Sequence, residues 1–587
     1  MNFRSLILST ATLALVAGPA PTMLTDSANA RSIVRPPAEA LCQIYAGTPR
    51  RQYRPRHFPP STGAGTGPQR AKIPVTPPPP VMHAPPPAPR PSGAANQEAS
   101  SDKSVVGVIA PRHMPGRYMP VRPQTREKYD GKAVAGIKAV VNEPVSTFSV
   151  DVDTGSYANV RRFLNKGQKP PESAVRTEEM VNYFRYDYPL PAKREQPFSI
   201  TTDMAVSPWN SKSRLLRIGL RGYDLDYNER PAANLVFLVD VSGSMGSPDK
   251  LPLVKSALSM LADQIRPQDR VSIVVYAGAA GKVLSPCNKP EIIKQALDGL
   301  RSGGSTAGGA GLKLAYATAQ QNFSKGSVNR ILVATDGDFN VGIRDRDELK
   351  KYVAKQRDGG VTLTTLGFGT GNYNEALMEQ IANVGNGNYA YIDSAMEARK
   401  VLTEEMSSTL FTIAKDVKIQ IEFNPAYVSE YRLIGYENRL LAEEDFDNDR
   451  IDAGDIGASH QVTALYEVIP AGTKGWLSDR RYGKNNDANL GKRNGELGFI
   501  KLRYKLPSGS RSRLIQRPLT AAMIAHADAP RGDMAFATAV AAFGQKLRGD
   551  KYLGDFSYGD IRILAGSQNK YWRQEFVKLT ELAGSGS

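Results

Sequence analysis

Between residues 234 and 410, short unbroken apolar runs alternate with amphipathic stretches, and few architectures accept that order. The runs cover 235–239, 271–276, 331–334 and 361–368, and the helical patterns cover 250–265, 291–300, 309–321, 346–356 and 374–382. A strand without alternating polar residues is buried on both faces. The pattern therefore predicts an α/β domain over 231–410, a doubly wound parallel sheet with helices on both sides.

The flanks read differently. Strand patterns at 146–152, 198–206 and 213–220, with helices at 156–164 and 177–184, predict a mixed α/β region over 136–230. Strands at 417–423, 461–469 and 497–504 predict a β-rich C-terminal domain over 411–587, closed by helices at 534–547 and 571–582. One β-rich unit made from strands on both sides, with the parallel-sheet domain inserted into it, satisfies the same pattern.

Ahead of these lie two segments of another kind. Residues 1–30 read as a signal peptide: Arg4, an apolar run over 6–18, then Ala28-Asn29-Ala30 as a small-x-small cleavage site. The run is shorter than the ~20 residues that span a bilayer, and Pro19 and Pro21 follow it. Export to the periplasm or cell envelope is the expectation. Residues 31–130 then hold about half of the chain's 41 prolines, with 15 basic against 5 acidic residues. Most of the net charge of +17 therefore sits in a disordered, proline-rich, basic linker over 31–135, a spacer of ~3.1 Å per residue where polyproline II is stiff. The folded remainder is only mildly basic and carries no nucleic-acid reading motif, which excludes nucleic acid as the partner. The arm itself suits an anionic membrane or cell-wall surface. With only Cys42 and Cys287, the chain is not built on a disulfide framework, and the two are expected to stand unpaired. A lipidated Cys42 is disfavoured by Ala40-Leu41 in front of it.

Ligands of an open parallel sheet bind beyond the carboxyl ends of its strands. Three loops there carry oxygen donors: Asp240-Val241-Ser242-Gly243-Ser244, the Gly-rich stretch from Ser302 through Thr306 to Gly309, and Thr335-Asp336-Gly337-Asp338. Carboxylates and hydroxyls without histidine or thiolate suit Mg²⁺ or Mn²⁺ rather than Zn²⁺. Two carboxylates facing three hydroxyls would also repel unless a cation stood between them. Asp240-x-Ser242-x-Ser244, Thr306 and Asp336 resemble, in order and strand placement, the metal-ion-dependent adhesion site of von Willebrand factor type A domains. That resemblance implies a metal held by these five residues, with a partner's Asp or Glu completing its shell. The segments 148–154, 156–162 and 431–439 are similar to the bacterial YfbK-like group of such proteins, over roughly 142–582.

Other motifs read as decoys. Asp153-Thr154-Gly155-Ser156 spells the aspartic-protease tripeptide once, where two copies are needed, and helix capping explains it better. Asp445, Asp447 and Asp449 have calcium-loop spacing without the required glycine and closing glutamate, and Arg531-Gly532-Asp533 and Arg548-Gly549-Asp550 read as chance. The resulting expectation is an exported, non-enzymatic protein that binds an acidic partner through a Mg²⁺ or Mn²⁺ ion. A structural envelope protein with an incidental metal, or a metal-assisted hydrolase using Asp338 as base, are the competing classes.

Overall fold

The computed structural model describes residues 41–45, 127–150, 153–226, 228–305, 308–337, 346–371, 373–478 and 495–585. The chain runs through β1 (Lys138–Ala139), β2 (Val145–Ser149), α1 (Gly155–Asn165), α2 (Thr177–Asn182), β3 (Phe198–Val206) and β4 (Arg214–Gly222). It continues with β5 (Ala233–Asp240), α3 (Leu251–Ala262), β6 (Arg270–Tyr276), β7 (Ala280–Cys287), α4 (Pro290–Asp298), α5 (Gly308–Gln321), β8 (Val328–Thr335), α6 (Arg346–Asp358) and β9 (Thr362–Phe368). Then come α7 (Glu375–Val384), β10 (Tyr389–Ile392), α8 (Ala395–Arg399) and α9 (Met406–Leu410). The remainder is β11 (Thr412–Phe423), β12 (Val428–Ile434), β13 (Leu440–Leu441), β14 (Gly454–Gly457), β15 (Gln461–Pro470), β16 (Glu496–Lys505), β17 (Ser512–Thr520), α10 (Ala522–Ala525), α11 (Gly532–Leu547), α12 (Tyr558–Ala565) and α13 (Tyr571–Ser585).

The middle third forms the parallel sheet, in the order β10-β9-β8-β5-β6-β7, with only β7 antiparallel to its neighbour. Strand β5 shows why its sequence is apolar throughout. Leu235, Phe237 and Val239 face a core shared with α3 and α4, while Val236 and Leu238 face one shared with α5, α6 and α7. The period of two sends alternate side chains to opposite faces, and helices cover both. Residues 280–287, for which no strand was expected, form the edge strand β7.

That edge is covered in a way the sequence reading did not anticipate. Residues 41–45 lie antiparallel to β7: Cys42 N donates to Pro286 O at 3.0 Å, Ser285 N to Gln43 O at 3.0 Å, and Tyr45 N to Val283 O at 2.9 Å. Cys42 and Cys287 are joined in a disulfide, correcting the expectation that both stand unpaired and leaving no thiol at Cys42 to lipidate. Pairing protects the edge from other chains, and the covalent bond keeps the short strand in place. At the other end of the expected linker, Lys128 N donates to Tyr373 O at 2.9 Å and the Glu127 carboxylate accepts from Gly371 N at 3.0 Å. Two described pieces of the segment 31–135 are thus docked on folded structure.

Two antiparallel sheets, β1-β12-β15-β4-β3 and β13-β2-β11-β16-β17, each combine strands from before and after the parallel sheet. Leu216, Ile218, Val462, Ala464 and Tyr466 meet Phe148, Ile419, Ile421, Ile500 and Leu502 between them. On the outer face of the first sheet, Leu215 and Leu465 pack against α2, α11 and α13 through Met180, Phe536, Phe543 and Phe576.

Buried charge joins these layers. Arg176 is surrounded by Glu179 at 2.7 Å, Glu379 at 2.8 Å and Glu375 at 3.2 Å, and Asn159 donates to Glu375 at 3.1 Å. Three carboxylates around one guanidinium leave excess negative charge. Burial first, and the charges of Glu179 and Glu379 after it, push Glu375 up to about 8 against the lowering effect of Arg176. A raised folded-state value favours the protonated form, so its contribution is full below about pH 4 and is lost as pH rises through about 8. Glu375→Gln, which keeps the shape without the titration, should gain about 4 kcal/mol relative to wild type between pH 5 and pH 9 in urea melts. Parallel pH profiles for the two proteins would contradict this.

Candidate metal centre

The parallel pairing of β5 with β8 brings Asp240 and Asp336 to the same sheet end. Asp240 closes β5 with its side chain fully buried; Oδ1 accepts from Ser242 N at 2.8 Å and Oδ2 from Thr335 Oγ1 at 3.1 Å. Burial pushes the Asp240 carboxyl above its usual range, with the neighbouring charge of Asp336 adding to that and the Ser242 and Thr335 hydrogen bonds opposing it. The backbone then turns through Gly243–Gly246. Ser242 Oγ and Ser244 Oγ stand 3.0 Å apart, one hydroxyl donating to the other.

The Gly-rich loop locks onto this turn. Gly303 N donates to Val241 O at 2.8 Å and Gly243 N to Gly304 O at 3.0 Å. Gly304 holds φ +83°, and a Cβ on Gly243 would stand 3.3 Å from the Gly304 oxygen, so the close approach depends on glycine. Thr306 and Asp338 lie outside the described residues. Asp336 is described, fully buried, and paired at 2.8 Å with the ammonium of Lys250, which heads α3.

Asp240, Ser242 and Asp336 are each no more than 1% exposed, while Ser244 is exposed. One sequence expectation changes here. The repulsion between the two carboxylates, taken as the sign of a bound cation, is met in part by Lys250. Nothing in the spacing of Lys250 pointed to it, because a lysine at a helix start reads as a solvated residue. The aspartic-protease decoy resolves as structure: Asp153 accepts from Tyr389 N at 2.8 Å and pairs with Arg439 at 2.8 Å. It does not cap α1, whose Ser156 N is instead held by Glu179 at 2.8 Å. Asp447 and Asp449 pair with Arg503, Asp533 with Arg573 and Asp550 with Arg432, so those motifs are ion pairs.

The donor set fits a hard divalent ion. Two oxygens on adjacent corners of an octahedron with ~2.1 Å bonds are ~3.0 Å apart, which is the Ser242–Ser244 spacing. Among the described residues no group of three or more His, Cys, Asp or Glu side chains is arranged to hold a metal, so the serine hydroxyls would supply part of any coordination shell.

This sheet order is that of a von Willebrand factor type A domain, and the family model of that domain matches residues 234–405. A model described as von Willebrand factor matches 123–217, and one described as "Uncharacterized protein YfbK, C-terminal" matches 408–585. Uncharacterized protein YfbK of Escherichia coli (strain K12) is 50% identical over 460 residues, 76% of this chain and 79% of that one. The chain belongs to the bacterial YfbK family of von Willebrand factor type A domain proteins. Protein sll0103 of Synechocystis is 33% identical over 323 residues, 53% of this chain and 70% of that one. Among solved structures, a von Willebrand factor type A protein from Catenulispora acidiphila is 15% identical at a TM-score of 0.37, covering 68% of this chain and 91% of that one.

Proposed function

We propose that this is an exported cell-envelope protein that binds an acidic side chain of a protein partner through a Mg²⁺ or Mn²⁺ ion held by Asp240, Ser242, Ser244, Thr306 and Asp336. Type A domains are modules of protein–protein interaction, which sets the class of function. The observation that carries the finer reading is the pair of serine hydroxyls at octahedral-edge spacing beside a buried carboxylate. Neutral hydroxyls leave the ion's charge poorly quenched, so an incoming carboxylate is a strong further ligand. The Cys42–Cys287 disulfide supports an oxidising compartment, as export to the periplasm or envelope requires. No helix among the described residues is long and apolar enough to cross a membrane. The domain boundaries proposed from sequence, with 231–410 as the metal-binding unit, go with this reading, as does a binding role rather than catalysis.

Mg²⁺ should raise the melting temperature by mass action, and a pull-down from the native envelope should recover a partner that chelator releases. Absence of any chelator-sensitive partner would favour the structural class, and turnover lost in Asp338→Asn would favour the hydrolase. The basic arm is proposed to meet an anionic lipid or wall surface. Deleting 49–120 should leave the thermal transition unchanged and weaken vesicle association at low salt. A deletion that also removed Cys42 would unpin the strand on β7 and should lower stability as well.

A further inference from the structure

Lys250 is placed at considerable cost. Its side chain is 8% exposed, and a buried ammonium loses hydration that only good pairing restores. The fold makes room for it. The stem passes over Gly369, at φ +73°, where a Cβ would fall 2.4 Å from Lys250 Cγ and 2.5 Å from Cε. Gly369 is itself held from behind, its carbonyl accepting from Tyr391 OH at 2.7 Å. Through that gap Nζ reaches Asp336 Oδ2 at 2.8 Å.

We propose that Lys250 is a resident cation of the adhesion site, competing with a divalent ion for Asp336 and setting the sign of the charge a partner meets. This rests on the metal reading above. Among the described side chains named here, with Asp240 and Asp336 ionised, Lys250 brings the net charge before an ion enters to −1, which repels a carboxylate. A divalent ion takes the same site to +1, which attracts one. Without Lys250 the two states would be −2 and zero, so loading would draw the ion more strongly and a carboxylate less. The lysine thus trades ion affinity for preference toward an anionic ligand, making acceptance of an acidic side chain conditional on the ion.

The test uses the full chain and its Lys250→Gln variant, which keeps a hydrogen-bond donor for Asp336 without the charge, and Lys250→Met as a second variant. Mn²⁺ affinity is read by calorimetry. Binding to the Mn²⁺-loaded protein is then compared for a short peptide with one central Glu and its Gln twin. Removing the like charge should tighten Mn²⁺ about tenfold and reduce the Glu-over-Gln preference at least about threefold. Unchanged or weaker Mn²⁺ binding in both variants, with binding intact in wild type, would show that Lys250 only positions Asp336 and would overturn this role alone. Mn²⁺ binding by Lys250→Gln but not by wild type would uphold Lys250 as the resident cation and overturn the metal reading. No Mn²⁺ binding by any of the three proteins would overturn both.

Discussion

Asp336→Ala should cost the fold about 3 kcal/mol and remove divalent-ion binding in the same step. Asp336 is fully buried and its Oδ2 holds the Lys250 ammonium at 2.8 Å, so alanine takes a carboxylate away from a buried cation. Asp240 differs, because the hydrogen bonds on its two oxygens come from a backbone N–H and a threonine hydroxyl. Asp240→Ala should therefore cost no more than ~1 to 2 kcal/mol while still weakening the ion. Urea denaturation in chelator reads the difference. Adding Lys250→Met to Asp336→Ala should recover part of the loss, because the buried charge that lost its carboxylate is then gone as well. Equal stabilities for Asp336→Ala and Asp240→Ala would contradict the account of the pair.

Arg432→Met should be at least as damaging, at about 3 to 5 kcal/mol, with the melting temperature lower by several degrees. The guanidinium is 1% exposed and contacts Glu467 Oε2 at 2.8 Å, Asp550 Oδ2 at 2.9 Å and Gln545 Oε1 at 2.6 Å. These partners come from β15, from α11 and from just beyond α11, so one side chain ties the antiparallel sheet to the helices outside it. Methionine fills much of the volume but leaves two buried carboxylates without their cation. Glu467 keeps neutral donors in Ser213 Oγ at 2.6 Å and Trp209 Nε1 at 3.1 Å, and Glu467→Gln added to Arg432→Met should restore part of the stability. A loss below about 1 kcal/mol would show that the cluster contributes little beyond packing.

What the sequence disclosed follows from which signals are local. Strands such as β5 are buried on both faces and read as apolar runs, so the parallel sheet was legible. The proposed ligands Asp240, Ser242, Ser244 and Asp336 sit at strand ends or just beyond them, where their spacing shows. Strand β12 was missed because Arg432 interrupts Tyr431-Arg432-Leu433-Ile434, and only the partners on β15 and beyond α11 reveal that charge as interior. Strand β17 was missed for the opposite reason: it is an edge strand with most of its side chains at least partly exposed, and its alternation carries little apolar signal. Helix α12 had a readable start, since Ser557 and Asp560 form a reciprocal capping box, but over 8 residues it buries only Ile561 and Ala565, too little to show a helical period. Lys250 and the Cys42–Cys287 bond are long-range facts. Sequence separations of 86 and 245 residues hide both.

The most direct test of the central claim is a calorimetric titration of Mn²⁺ or Mg²⁺ into the wild type and Asp240→Ala under identical conditions. The account predicts a single site in the wild type at millimolar or tighter affinity, weakened at least about thirtyfold in Asp240→Ala while that variant keeps a cooperative thermal transition. No binding by the wild type at millimolar ion, or the same affinity in both proteins, would contradict it.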